Sequence, residues 1–146
     1  MEGFRLSPQQ RSLWSIQQSA EGEPFRAFSA IRIDGDLSAA RLRQAVEELV
    51  SRHEVLRTTF VRPPGIKSPF QVIGDEAQFS WSYVDGSTFD AEQQEKPFDF
   101  THGPLLHLTL IKRAADAHVL LVSLPALCSD STTLANFTHE LCGVYV

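Results

Sequence analysis

Apolar residues recur at three- and four-residue intervals in several stretches of the chain, and this spacing predicts amphipathic helices. The clearest helix follows Ser38, a good N-cap residue, and its apolar stripe consists of Leu42, Ala45, Val46, Leu49 and Val50. A shorter helix, opened by a Ser-Pro pair, is predicted at Ser7–Ser19. A last helix is predicted at Ser131–Val144, capped by Asp130 or Ser131. We expect the stripe of the middle helix to pack on a sheet.

Other stretches are typical of β-strands, which are predicted at Phe28–Ile33, Val55–Phe60, Phe70–Ile73, Phe79–Val84, Leu106–Leu110 and His118–Leu124. The last of these is almost continuously apolar, which predicts a central strand. We expect it to run antiparallel to the strand before it across Ala114–Ala117. The run RPPG at 62–65 predicts a hairpin-like loop, and Gln93–Phe98 is expected to be a loop or a short helix.

Length and charge restrict the functional classes. The 146 residues suit one domain, which we place at residues 1–146. The net charge of −5 argues against nucleic acid as a partner, because phosphate binding depends on clustered Lys and Arg. No run approaches the roughly 18 apolar residues of a membrane helix, and Met1–Ser12 lacks the apolar core of a signal peptide. We therefore expect a cytoplasmic protein without a membrane partner.

Cysteines and histidines give no sign of a metal site. Cys128 and Cys142 form no C-x-x-C pattern, and we expect both to be reduced, buried small side chains. The 5 histidines form no metal-binding pattern, and we expect surface or capping roles for them. The serines and threonines beside Asp130 have no base nearby in sequence, so we expect them to cap the last helix.

Four segments of the chain carry its most specific pattern. They are LSPQQRSLW at Leu6–Trp14, IRIDGDLSAARLRQAVEELVSRHEVLRTTF at Ile31–Phe60, KPFDFTHGPLLHLTLIK at Lys96–Lys112 and SLPALCSDSTTL at Ser123–Leu134. Taken in order, they resemble the motifs of condensation domains of nonribosomal peptide synthetases, within the wider family of CoA- and carrier-dependent acyltransferases. The first segment is similar to the opening motif S-x-x-Q-x-R-L-W, although Ser12 intervenes before Leu13. The likeness covers nearly the whole chain.

The resemblance implies a fold of the α+β class. Such a fold is a two-layer α/β sandwich in which helices pack on a mixed sheet, as in one half of a chloramphenicol-acetyltransferase-like protein. Condensation domains have two such lobes, so the chain would supply the N-terminal lobe and would be a partial piece of a longer polypeptide. The reaction tunnel of the family lies between the lobes, so this lobe alone would hold half a site.

The family's HHxxxDG motif is degenerate in this chain. With the motif aspartate aligned on Asp130, Pro125 and Ala126 stand in place of the histidines and Ser131 in place of the glycine. The second histidine is the family's general base, a role that contributes roughly 10²–10⁴-fold to a rate. The heterocyclising version, DxxxxDxxS, is met at Asp130 but not at Pro125 or Thr133. The resemblance thus implies a retained scaffold with no catalytic residue at these positions.

The resemblance also implies a structural ion pair and a set of partners. Arg57 is similar to the family's arginine that pairs with the motif aspartate, here Asp130. No directly bound cofactor is expected, because the phosphopantetheine group belongs to a partner carrier protein. Expected partners are the second condensation lobe, an adenylation domain, the carrier protein and a tailoring enzyme such as a hydroxylase.

Three functions remain open at this point. The first is a noncatalytic interaction module, similar to interface-type condensation domains with degenerate motifs. The second is the first half of an active condensation or acyltransferase domain that forms peptide bonds by a mechanism without histidine. The third is a remnant that only stabilises its neighbours. Whether the parent protein uses this lobe as an enzyme is therefore left open, and the first function is favoured.

Overall fold

The structure is a computed structural model that describes residues 2–19, 25–86 and 96–146. The strands in these ranges are β1 (Glu2–Arg5), β2 (Arg26–Asp34), β3 (Thr58–Val61), β4 (Phe70–Ile73), β5 (Ser80–Asp85), β6 (His107–Ala114) and β7 (Ala117–Pro125). The helices are α1 (Pro8–Ser19), α2 (Ala39–Arg52) and α3 (Ser131–Tyr145), with a 3₁₀ turn at Glu54–Arg57. None of the helices in these ranges has the length and apolar character needed to cross a membrane.

The larger sheet has the strand order β2-β7-β6-β5. Its pairs are antiparallel except for β5 and β6, which run parallel, so the sheet is mixed as predicted. β7 lies between β2 and β6, which confirms that the apolar run His118–Leu124 forms a central strand. A second, antiparallel sheet with the order β1-β4-β3 was not foreseen as a separate unit.

The main hydrophobic cluster lies between the helices and one face of the larger sheet. Its members from α2 are the predicted stripe, and all five are buried: Leu42, Ala45, Val46, Leu49 and Val50. Alternate residues of β6 and β7, one face of α3, Leu56 and Leu106 are the other buried members of the cluster. Ser38 caps α2 as expected, because its side chain accepts a hydrogen bond from the backbone N–H of Arg41. The fold therefore confirms the α+β class and the two-layer packing.

A smaller cluster joins α1 and β3 to the segments that precede β6 and follow β7. Its buried members are Leu6, Trp14, Phe60, Phe98, Leu105 and Leu127. The rings of Phe60 and Trp14 both make edge contacts with Phe100, at centroid distances of 6.2 and 5.8 Å. This second cluster fixes α1 against the end of the central strand.

Two local predictions need correction. The segment Val55–Phe60 was expected to be a strand, but it begins as a 3₁₀ turn and becomes β3 only at Thr58. The turn is stabilised locally, since the hydroxyl of Thr58 donates to the carbonyl of Glu54 at 2.9 Å. Of the predicted loop or short helix at Gln93–Phe98, residues 96–98 have no regular structure, and the rest lies outside the described residues.

Candidate functional site

The residues predicted to stand in place of the HHxxxDG motif lie at the end of the central strand. Pro125 is the last residue of β7 and is buried, whereas Ala126 begins the following turn and is half-buried. The backbone N–H of Ala126 donates to the carbonyl of Phe25 at 2.8 Å, which attaches the turn to the segment entering β2. We call residues 126–130 the motif loop.

The carbonyl oxygen of Pro125 accepts several hydrogen bonds from polar groups of the motif loop. It accepts hydrogen bonds from the backbone N–H of Cys128 at 3.1 Å, from the hydroxyl of Ser129 at 3.1 Å and from the thiol of Cys128 at 3.5 Å. Burial raises the pKa of the Cys128 thiol to about 12, so it remains protonated and is not a nucleophile. Both cysteines were expected to be buried, but Cys128 is half-buried and Cys142 is exposed on α3.

Asp130 ends the motif loop and caps α3. Its carboxylate accepts hydrogen bonds from the backbone N–H of Thr133 at 2.8 Å and from the Thr133 hydroxyl at 2.9 Å. The backbone N–H of Asp130 donates in turn to Oγ1 of Thr133 at 3.4 Å, and this reciprocal bond completes a capping box. These bonds, the backbone one foremost, lower the pKa of Asp130. Of the two cap residues left open by the sequence, Asp130 is therefore the N-cap, and Ser131 is the exposed first residue of the helix.

The predicted ion pair between Arg57 and Asp130 is not formed among the described residues. Arg57 donates through Nε to the carbonyl of Val50 at 3.1 Å and through Nη1 to the carbonyl of Gly74 at 2.6 Å. Since these two carbonyls take the guanidinium and Thr133 takes the carboxylate, each charged group has its own partners. Arg57 thus ties the last turn of α2 to the segment after β4.

A cleft of about 390 Å³ opens beside the motif loop. Its lining residues are Gln9, Gln10, Leu13, Val55, Ala126, Leu127, Cys128, Ser129, Asp130 and Thr133. No His, Lys or Arg is found among these described lining residues. The ionisable side chains here are a carboxylate whose pKa is lowered and a thiol whose pKa is raised. Neither suits a general base, which works best with a pKa near the operating pH.

Comparison with known families decides what kind of domain surrounds this cleft. The family model of the condensation domain matches residues 2–146. The chain belongs to the condensation domain family. It is 34% identical to bacitracin synthase 3 of Bacillus licheniformis over 99% of its own length, a segment that makes up 2% of that synthase. It is 33% identical to gramicidin S synthase 2 of Brevibacillus brevis over 97% of its own length and 3% of that synthase. The chain therefore spans only a small part of these relatives.

Solved condensation-domain structures have the same fold. The condensation domain of the Monacolin K polyketide synthase MokA superposes with a TM-score of 0.88 at 23% identity, over 99% of this chain and 34% of that one. The X-domain from teicoplanin biosynthesis, solved in complex with OxyB, superposes with a TM-score of 0.80 at 26% identity, over 99% of this chain and 33% of that one. These likenesses confirm the predicted fold.

None of the histidines of this condensation domain is among the described residues that line the cleft. His53, next to the end of α2, places its Nε2 2.7 Å from Oε2 of Glu140, and His139 is exposed, as expected of surface roles. His118 differs from the expectation, because it is buried on β7 with its Nε2 3.3 Å from the hydroxyl of Tyr83.

His107 also departs from the expected surface role. It is half-buried, its ring centroid lies 4.9 Å from that of Phe98, and its Nε2–H donates to the carbonyl of Pro104 at 3.1 Å. Burial foremost, and the positive charges of Arg26 and Lys96, lower its pKa, so the ring is neutral at neutral pH. His107 is therefore a packed, neutral side chain of β6.

Sequence reasoning missed the residue that connects the opening motif to the motif loop. Gln10 of α1 donates through Nε2 to the carbonyl of Leu127 at 2.9 Å and lies in hydrogen-bond contact with Gln71 of β4. One signal was available, since Ser7 and Gln10 have the spacing of a capping box. The contact with Gln71 joins residues 61 positions apart, which no local pattern indicates.

Proposed function

We propose that this chain is the N-terminal lobe of a noncatalytic condensation-like domain of a nonribosomal peptide synthetase, and that it acts as an interaction platform. The observation that carries the proposal is the cleft at the motif loop. Ala126, which lines this cleft, and Pro125, which precedes it, stand in place of the histidines in the predicted alignment of the motif, and the described lining offers no base suited to neutral pH. The β-strand, the loop and the capped helix around those positions are nevertheless intact.

The interaction role is supported by one of the structural relatives. The X-domain, 26% identical to this chain, was solved in complex with OxyB. We propose a comparable role here, with the partner drawn from the carrier protein, the adenylation domain, the second lobe or a tailoring enzyme such as a hydroxylase. A phosphopantetheine group would reach this lobe only as part of the carrier protein and its bound substrate.

The first experiment separates a platform from a passive remnant. The parent module is used as bait, with and without residues 1–146, and captured proteins are identified by mass spectrometry. Selective loss of a carrier protein or tailoring enzyme from the shortened bait is the expected result. An unchanged partner list with unchanged product would contradict the platform and leave a remnant.

A second experiment separates a platform from an active condensation domain. Ala126→His restores an imidazole at the position of the family's general base, and Ala135→His places the same group on the exposed face of α3 as a control. We expect neither variant to raise product formation by the parent module. A gain with Ala126→His alone would show that the site still performs acyl transfer when given a base.

The alternative enzyme would need a group other than histidine in the same cleft. The observation in its favour is that the carboxylate of Asp130 and the hydroxyl of Ser129 both lie in the cleft lining. Asp130→Asn preserves the helix cap while removing the charge. Loss of product in this variant, with partner capture unchanged, would favour the enzyme over the platform.

A further inference from the structure

We propose that the side-chain amides of Gln10 and Gln71 form a junction whose role is to position the motif loop. The junction, defined by these two residues, connects three elements that are distant in sequence: the start of α1, strand β4 and the loop that follows β7. Its relevance to partner binding rests on the platform function proposed above, whereas its positioning role does not.

Every hydrogen-bonding group of the Gln10 side-chain amide has a partner. Its Oε1 accepts hydrogen bonds from the backbone N–H of Ser7 at 2.9 Å and from Nε2 of Gln71 at 3.0 Å. Its Nε2 donates to the carbonyl of Leu127 at 2.9 Å and to Oε1 of Gln71 at 3.2 Å. An amide has two donor hydrogens and two acceptor lone pairs, so the hydrogen-bonding capacity of Gln10 is fully used.

The two backbone contacts fix which way the amide points. The N–H of Ser7 requires an oxygen and the carbonyl of Leu127 requires an N–H, so exchanging the oxygen and nitrogen of Gln10 would lose both bonds. The pairing with Gln71 then holds the amide from a third side. The carbonyl of Leu127, the second residue of the motif loop, is therefore held at one position relative to α1 and β4.

The variant Gln10→Glu separates positioning of the motif loop from capping of α1. A capping box accepts Glu as well as Gln at its third helical position, so Gln10→Glu retains the bond from the Ser7 N–H. A carboxylate has no N–H, so the same variant loses the bonds to Leu127 and to the oxygen of Gln71 and places negative charge against both acceptors. Ser7→Ala does the reverse, because it removes the hydroxyl that caps Gln10 N–H at 3.2 Å and leaves the junction.

Hydrogen–deuterium exchange read by mass spectrometry in the intact protein tests the proposal. In Gln10→Glu we expect exchange in peptides covering the motif loop to rise at least about tenfold, because two hydrogen bonds are lost, while α1 peptides stay unchanged. In Ser7→Ala we expect α1 peptides to exchange faster and the loop to stay unchanged. Gln71→Met, which leaves the bond to Leu127 in place, should produce an intermediate rise in the loop.

The neighbouring Gln9 provides a matched control, since it is exposed and lines the same cleft. Gln9→Glu adds the same charge one residue away and should leave loop exchange unchanged. Unchanged loop exchange in Gln10→Glu, or an equal rise in Gln9→Glu, would overturn the proposal. A loop that loosens while partner capture stays the same would retain the positioning role and count against the platform.

Discussion

Arg57 gives the sharpest stability prediction, because the structure assigns it to carbonyl groups and not to Asp130. Arg57→Met keeps most of the aliphatic stem and removes two hydrogen bonds, to the carbonyls of Val50 and Gly74. Hydrogen bonds to charged groups contribute roughly 1.5–3 kcal/mol each, and the lower end applies to a half-buried side chain, so the expected loss is about 3 kcal/mol. Val50 lies in the last turn of α2, where the backbone carbonyls have no hydrogen-bond partner within the helix, so the bond from Arg57 also satisfies a helix end.

The assay is urea unfolding followed by tryptophan fluorescence, with the free energy of unfolding obtained by linear extrapolation. Arg62→Met is the control, because Arg62 is exposed, and its loss should stay within about 0.5 kcal/mol. Asp130→Asn should leave the stability nearly unchanged, since Asn caps helices as well as Asp does. The double variant should be additive. Strong coupling between Arg57→Met and Asp130→Asn, or a loss for Arg57→Met no larger than the control's, would refute the assignment.

Three further predictions follow from burial and thiol chemistry. Leu49→Ala, at a fully buried position of α2, should lower the free energy of unfolding by about 3 kcal/mol in the same urea assay, whereas exposed Val55→Ala should cost far less. A maleimide reagent at neutral pH should modify Cys142 and spare Cys128 in the folded protein; rapid modification of both would contradict the raised pKa of the half-buried Cys128 thiol. The raised pKa of Cys128 should make stability fall as the pH rises above 9.0, because the unfolded thiol ionises there while the folded thiol holds its proton to about 12; Cys128→Ala should remove this part of the pH dependence.

Much of the fold followed from local patterns, because these patterns report burial directly. The stripe of α2 repeats with the helical period and is buried throughout, and the apolar run of β7 lies at the centre of its sheet. The N-cap at Asp130 was among the two expected choices, since both it and Ser131 have short polar side chains. Where a residue type matches the local requirement of an element, sequence alone suffices.

The polar contacts of the site were harder to predict, because they depend on which elements meet. The partner of Arg57 was inferred from family resemblance. Arg57 instead binds backbone carbonyls, and because every residue has a backbone carbonyl, a sequence pattern cannot indicate which ones it binds. The junction of Gln10 and Gln71 depends on β4 pairing with β1 in a sheet that was not foreseen. The short polar strand β1 itself, with the sequence EGFR, has no apolar alternation to reveal it.

The motif loop also joins the two hydrophobic clusters. Leu124, just before it, lies in the larger cluster, Leu127 lies in the smaller one, and Cys128 packs against both. A disturbance here would loosen both halves of the interior at once, so the two sheets are expected to unfold in a single cooperative transition. The packing of Leu127 and Cys128 thus restricts the side chains that mutation can introduce into the motif loop, whatever its chemistry.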